Sequence, residues 1–394
     1  MPFLLPKRLV NRFAQEPPLA WSQLSHQKVR LIVGLAGISF ANILIFMQLG
    51  FRAAMFDGVS RIQENLKGDL FLVNRTTQFL GNKTIPKAQL YRANGIQGIA
   101  SVDPLYYSRT SWVNPQTKEL ADVNIIAFNP ARSAMDLPEI RGQLGTIAQQ
   151  DTVLFDSKSL PSLGSVGELF SKGNPVNSVV GGRKISVGGL YSLGSSLFKQ
   201  GHIVMSDTNY LRLFGQAGAD EVHLGMITLE PGANPNAVTQ GLQKLLPQDI
   251  KVLNRQEFIA LEQGYWAKQP PGIIFNFGTV MGFIVGIVIV YQVLYTDVND
   301  HLPEYATLKA IGYSDSRLLG IIFQEAIVLG VLGFLPGFAC SVGMYGLLGT
   351  LTRVAIVMRP DVALQVFILT LLMCLISAAI AVRKLRSADP ADVF

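Results

Sequence analysis

Cysteine is nearly absent, with two residues in a chain of 394. Cys340 and Cys374 both fall inside long apolar runs. The polar stretch between residues 69 and 269 holds none, which excludes a disulfide framework, a thiolate nucleophile and Cys-ligated zinc there. Histidine is scarce as well: His26, His202, His223 and His301 stand far apart, no H-E-x-x-H pair is present, and each reads as surface or packed. Neither G-x-x-x-x-G-K-[ST] nor G-x-S-x-G occurs. The nearest approach to a phosphate loop, GGRKIS at 181–186, lacks the first glycine at the required spacing, so the chain holds no ATPase motif of its own. Charged residues make up only 15% of the sequence. The acidic pairs Asp297 with Asp300 and Asp389 with Asp392 lie at the ends of apolar runs and read as solvated or capping groups.

What is abundant is apolar sequence, at 49% of residues with a mean hydropathy of +0.32, and it is concentrated in four runs. Residues 31–54, 271–296, 318–350 and 362–382 each reach or exceed the ~20 residues needed to cross a bilayer. The chain is therefore a membrane protein with four predicted spans. The net charge of +6 does not point to nucleic acid, because Lys and Arg collect beside the spans. Lys7, Arg8, Arg12, Lys28 and Arg30 precede the first span, Arg383, Lys384 and Arg386 follow the last, and only Arg353 and Arg359 lie in the short loop 351–361. That asymmetry places segment 1–30, segment 297–317 and tail 383–394 in the cytosol and the large region 55–270 outside, in the periplasm of a two-membrane cell. The first span has too long a lead and apolar core for a cleaved secretory signal and is expected to stay.

Region 55–270 opens with Met55, Val59, Ile62 and Leu66, whose spacing continues the first span as a stalk helix. Strand-like runs follow at 70–73, 123–128, 152–155, 202–205 and 222–229, interleaved with helical patterns at 86–93, 207–214 and 234–246, the last with Asn234 as cap and Pro235 in the first turn. This interleaving predicts an α+β domain, with a β-rich insertion near 130–205 where Gly, Ser and Pro are enriched. Residues 254–268 read as a returning stalk helix, ended by Pro270-Pro271-Gly272.

Between the second and third runs lies PEYATLKAIGYSDSR at 303–317. Pro303 suits a first helical position, Glu304 complements the helix dipole, Tyr305, Leu308 and Ile311 form an apolar stripe, Gly312 can end the helix and Ser314 can cap the next. The pattern fits a cytosolic coupling helix, or a helix lying on lipid headgroups. Gly278, Gly282 and Gly286 repeat along one face of the second span, and Gly333 and Gly337 along the third, as packing surfaces within the chain or between two copies. Pro336 is placed to kink the third span. Glu325 lies about two turns into that span, facing protein or the cytosolic interface; a polar contact between helices and a proton-coupled role both fit.

The order of parts resembles the FtsX/MacB-like ABC permeases. EYATLKAIGYSDSRLLGIIFQEA (304–326) looks like that family's coupling segment, LEPGANPNAVTQGLQKLLP (229–247) like the strand-helix element of its periplasmic domain, and DPADVF (389–394) like its closing motif, with Phe394 for the usual leucine. PEYATLKAIGYSDS and LAWSQLSHQKVR (19–30) look closest to the DevC type of cyanobacterial exporter permease. The resemblance implies an inner-membrane permease, without enzymatic activity, that works beside a separate ABC ATPase binding ATP and Mg. Glu304, Tyr305, Ala306, Leu308, Lys309 and Gly312 would form the ATPase contact. It further implies a second permease copy, a periplasmic adaptor (membrane fusion) protein and a TolC-like outer-membrane channel, with a lipid-like or other hydrophobic cargo such as glycolipid. An FtsX-like signalling anchor controlling a cell-wall hydrolase, and a lipoprotein-release permease, share the plan. An enzyme with its own active site in the outer region is the least favoured reading.

Overall fold

The computed structural model describes residues 28–196, 199–215, 219–301, 303–304, 307, 311, 315–352 and 356–387. The chain divides into two compact units, one built around Ala54–Gly272 and one around the long apolar helices.

Among the described residues, four helices are long and apolar enough to cross a membrane: Leu31–Asn65, Pro270–Asp300, Gly320–Leu351 and Pro360–Val382. The first belongs to α1 (Lys28–Asn65), which carries span and stalk as one uninterrupted helix. Met55, Val59, Ile62 and Leu66 are all buried, so the stripe of the stalk is a packing face.

The domain that follows is α+β. Its elements are β1 (Leu70–Asn74), β2 (Ile85–Pro86), α2 (Lys87–Ala93), β3 (Ile99–Val113), β4 (Leu120–Phe128), β5 (Thr152–Asp156), β6 (Asn177–Val180), β7 (Arg183–Tyr191), β8 (His202–Ser206), α3 (Asp207–Phe214), β9 (Glu221–Val222), β10 (Leu224–Leu229), α4 (Pro235–Leu245), β11 (Ile250–Asn254) and α5 (Arg255–Ala267). Short helices occupy Pro138–Arg141, Leu144–Ile147 and Val166–Ser171. Nine strands form one sheet in the order β11-β1-β10-β3-β4-β8-β5-β7-β6. A further pairing of Trp112 with Val180 joins β6 back to β3, so the strands from β3 to β6 close into a ring. Strand β3 makes this possible by its length: Ile99–Leu105 pairs with β10, and residues 105–113 pair with β4. The stretch 130–205 supplies strands to this same sheet together with the short helices.

Both faces of the sheet are covered. Leu70, Leu72, Ile125, Ala127 and Val153 belong to one core with Leu90, Ala93, Val238 and Leu242 of α2 and α4. Phe71, Val73, Ile126, Phe128 and Leu154 belong to a second core with Ile62 and Leu66 of the stalk and Phe258 of α5. Burial on both sides is why LFLV, NIIAF and IVM read as continuous apolar runs rather than alternating ones. Helix starts follow their caps. Asn234 Oδ1 accepts from Asn236 N at 2.9 Å ahead of Pro235. Asn254 and Glu257 form a reciprocal capping box, with both bonds at 2.9 Å. The GGRKIS stretch is a hairpin: Gly181 (φ 52°) and Gly182 (φ 84°) make the two-residue turn between β6 and β7, and both need the left-handed region.

The helical unit contains the membrane part of α1 with α6 (Pro270–Asp300), α7 (Asp315–Thr352) and α8 (Pro360–Ser387). Helix α7 runs through Pro336 without a break in its assignment. Ile38, Ala41, Val290, Leu294, Ile322, Ala326, Leu329, Met373, Cys374 and Ala378 form the core of this bundle.

Candidate functional site

Two sets of residues carry the functional expectations: the segment between α6 and α7, and the glycines along those helices. In the segment, Pro303, Glu304 and Thr307 are exposed. Thr307 Oγ1 donates to Pro303 O at 2.8 Å, and Ile311 N donates to Thr307 O at 3.1 Å, the i to i−4 reach of a helical turn. Ile311 is 72% exposed, so an apolar side chain of the expected stripe is uncovered by the rest of the chain. Tyr305, Ala306, Leu308, Lys309 and Gly312, and the expected cap Ser314, lie outside the described residues.

The glycines converge on α1. A Cβ at Gly278 would strike the Gln48 amide, at Gly282 it would lie 3.0 Å from Ile45 Cγ1, and at Gly286 it would meet Met373 Sδ and lie 3.2 Å from Ala41 Cβ. On α7, Gly333 faces Ile38 and Gly337 faces Ser39 and Asn42. Both glycine faces are therefore occupied within the chain, mainly by the first span. Helix α1 answers with small residues of its own: Gly34 lies against Val293 and Gly37 against Ile289. Close approach brings polar groups into reach across the bundle. Ser39 Oγ donates to Gly333 O at 3.0 Å, Thr370 Oγ1 to Asn42 Oδ1 at 2.7 Å, and Ser377 Oγ to Ile287 O at 2.8 Å, while Tyr345 hydroxyl donates to Phe46 O. The expectations above did not single out Gly34, Gly37, Ser39 or Asn42. Their signal was present as small and polar residues inside an apolar run, the composition that helix interfaces in a bilayer favour.

Glu325 is 1% exposed, and its carboxyl lies beside that of Asp297, itself 8% exposed. His301 Nδ1 lies 3.6 Å from Asp297 Oδ1. Asp297 is thus a buried partner in a contact between α6 and α7. This corrects its reading as a solvated end group: the register of the two helices turns it inward, a fact that chain position alone does not reveal.

In the α+β domain, His223 Nδ1 accepts from Tyr107 N at 3.3 Å, and burial, opposed by Glu221, lowers its pKa to about 4. His202 is buried 3.8 Å from Asp156 Oδ2; burial outweighs that carboxylate and lowers the imidazole pKa. Both rings therefore stand neutral in the fold at physiological pH.

Residues 276–390, which contain most of α6, the exposed segment, α7 and α8, match the family model for the FtsX-like permease C-terminal domain. This stretch of the chain is FtsX-like. The glycine faces of α6 and α7 and the exposed Glu304 and Ile311 all fall within the matched residues. Among solved structures, the chain is similar to the periplasmic region of MacB from Actinobacillus actinomycetemcomitans, at 12% identity and a TM-score of 0.35, covering 53% of this chain and 97% of that one. It is also similar to the extracellular domain of the noncanonic ABC-type transporter YknZ from Gram-positive bacteria, at 11% identity and a TM-score of 0.32, covering 47% of this chain and 99% of that one.

Proposed function

We propose that this protein is the permease subunit of an ATP-driven exporter and works by transmitting the motion of a separate ABC ATPase to its outer domain. The observation that carries the reading is the permease match over residues 276–390, within which Glu304 and the 72%-exposed Ile311 present a charge and an apolar group between two span-length helices. Glu304, Tyr305, Ala306, Leu308, Lys309 and Gly312 form the ATPase contact in this reading, with Leu308 and Tyr305 as the apolar anchor. ATP and Mg are held by the partner. The basic flanks at both ends support a cytosolic location for the termini and for this segment, which puts the α+β domain in the periplasm. There the domain meets an adaptor protein and a TolC-like channel and expels a hydrophobic, lipid-like cargo, as the DevC type would.

The test is co-purification from membranes of the parent chain and Leu308→Asp, scored for a nucleotide-binding partner and for stimulated ATP hydrolysis. The parent is expected to retain the partner and the variant to lose it, with insertion unchanged. A variant that still binds and stimulates the ATPase removes the assignment of the contact. A parent that captures no ATPase leaves a membrane-anchored signalling protein as the better description.

A further inference from the structure

The buried charges of the outer domain collect where the two stalk helices meet the sheet. Glu262, in the middle of α5, is 1% exposed. Its Oε2 accepts from Gln63 Nε2 of α1 at 2.8 Å and from Leu80 N, in the loop after β1, at 2.8 Å. Its Oε1 accepts from Trp266 Nε1 at 3.2 Å and lies 3.7 Å from Lys199 Nζ, just ahead of β8. One carboxylate thus joins α1, α5 and two loops of the sheet. The neighbouring face of α1 is tied down as well. Arg61 Nη1 donates to Leu193 O at 3.2 Å and Ser195 O at 3.4 Å, and Ser196 sits so close to Gly58 that a Cβ there would lie 2.5 Å from its own. Asp156, fully buried in β5, holds Leu193 N at 3.1 Å and Gly194 N at 2.7 Å from beneath.

A buried ion pair is a weak source of stability, because desolvation offsets most of its attraction and apolar side chains of similar size would pack as well. What the cluster supplies is geometry, since the hydrogen bonds from Gln63, Leu80 and Trp266 fail within a fraction of an ångström, and the Lys199 ion pair at 3.7 Å adds a directed attraction from the side of the sheet. An apolar core lets two helices slide over the sheet; a carboxylate gripped from four directions does not. Lys199 keeps its charge in this setting: burial opposes it, and Tyr107 and Glu262 together outweigh burial, so its pKa stands above the ordinary lysine value.

We propose that Glu262 is the positioning residue of the stalk, which with Lys199 pins the end of α1 and the middle of α5 to the strand ring, so that the ring follows the two helices when they move. The proposal rests on the transport reading given above. It locates the step at which helix motion becomes domain motion.

The test uses the full chain in its complex with the ATPase that co-purifies with it, and compares hydrogen exchange with and without ATP and orthovanadate. The variant is Lys199→Met. It leaves Glu262 with its three N–H donors, so the Leu80 amide, which Glu262 alone holds, should remain protected and reports that the fold is intact. In the parent complex, nucleotide should change exchange both in α5 and in β7 and β8. In Lys199→Met the change should persist in α5 and fall in β7 and β8 by at least about fivefold, the lower end of ordinary coupling between sites. ATP hydrolysis should continue. Lys199→Arg should restore the response, which a merely structural role for the charge would not require, and Glu262→Gln serves as a second variant should Lys199→Met lose Leu80 protection. An equal response of β7 and β8 in parent and variants would overturn the pin alone. No response to nucleotide in the parent complex would overturn the transport reading, and the pin with it.

Discussion

Gly337→Ala should loosen the helical unit although it adds a single methyl group. The new Cβ would lie 2.9 Å from Asn42 Cβ, 3.1 Å from Ser39 O and 3.3 Å from Ser39 Cα. Comfortable contact between carbons begins at roughly 3.5 Å, so several of these atoms must retreat by about half an ångström. Two of the three are backbone atoms and the third, a Cβ, is bonded directly to the backbone, so no rotamer change relieves them. Helix α1 must move away from α7, which lengthens the 3.0 Å bond from Ser39 Oγ to Gly333 O. Overpacking of this kind costs about 1–3 kcal/mol, and a weakened interhelical bond adds roughly 0.6 kcal/mol. Better helix propensity returns about 1 kcal/mol, for a net loss near 1–2 kcal/mol. Gly343, on the same helix, has nothing within 4 Å of its would-be Cβ, so Gly343→Ala should be neutral or mildly stabilising. The assay is thermal melting in detergent followed by size-exclusion chromatography, with the two variants measured side by side. Equal midpoints for Gly337→Ala and the parent would refute the close-packed face.

Gly282→Leu should disrupt packing of the second span, because Ile45 Cγ1 stands 3.0 Å from the first added carbon and Leu44 Cβ at 3.6 Å; unchanged melting and full transport would contradict this. Asn254→Ala removes the capping box of α5 and should destabilise the α+β domain by about 1 kcal/mol, read as a lower unfolding midpoint with the helical unit unaffected. Acid should weaken the α+β domain through His223. Its folded pKa of about 4 lies below the ordinary 6.5, so the unfolded chain binds the proton first. The stabilisation is fully present above about pH 6.5 and is lost as pH falls toward about 4, by at most roughly 3 kcal/mol. His202, also depressed, acts in the same direction. Denaturant titrations across that range check the slope, and His223→Leu should flatten it.

Much of the chain could be read from local pattern, for physical reasons that particular residues make plain. LFLV, VNIIAF and HIVM are uninterrupted because both sides of the sheet are buried, and Asn234 with Pro235 marks a helix start by chemistry confined to one turn. Strand β3 escaped such reading. Its sequence IASVDPLYYSRTSWV mixes polar residues and Pro104 through the element, because it pairs with β10 over one half and β4 over the other. Strand β7, RKISVGGLY, carries two glycines that allow Thr146, Thr152 and Gln143 to approach, and contacts so distant in sequence leave no periodic trace. The glycines of α6 and α7 were visible as stripes, whereas their partner helix was not: spacing shows that something packs closely, and only the bundle shows that α1 does.

The sequence by itself determined the four long apolar helices, the helix that continues the first of them and the class of the α+β domain, because apolar length, helix periodicity and caps are written in consecutive residues. The tertiary structure decided which faces meet. The closure of β6 onto β3, the Glu325 contact with Asp297 and the gathering of Gln63, Leu80, Lys199 and Trp266 around Glu262 each join residues whose separation in the chain carries no rule of spacing. Burial and hydrogen bonding select such partners only once the chain has folded, so a solitary charge such as Glu262 looks like any surface acid until its surroundings are known.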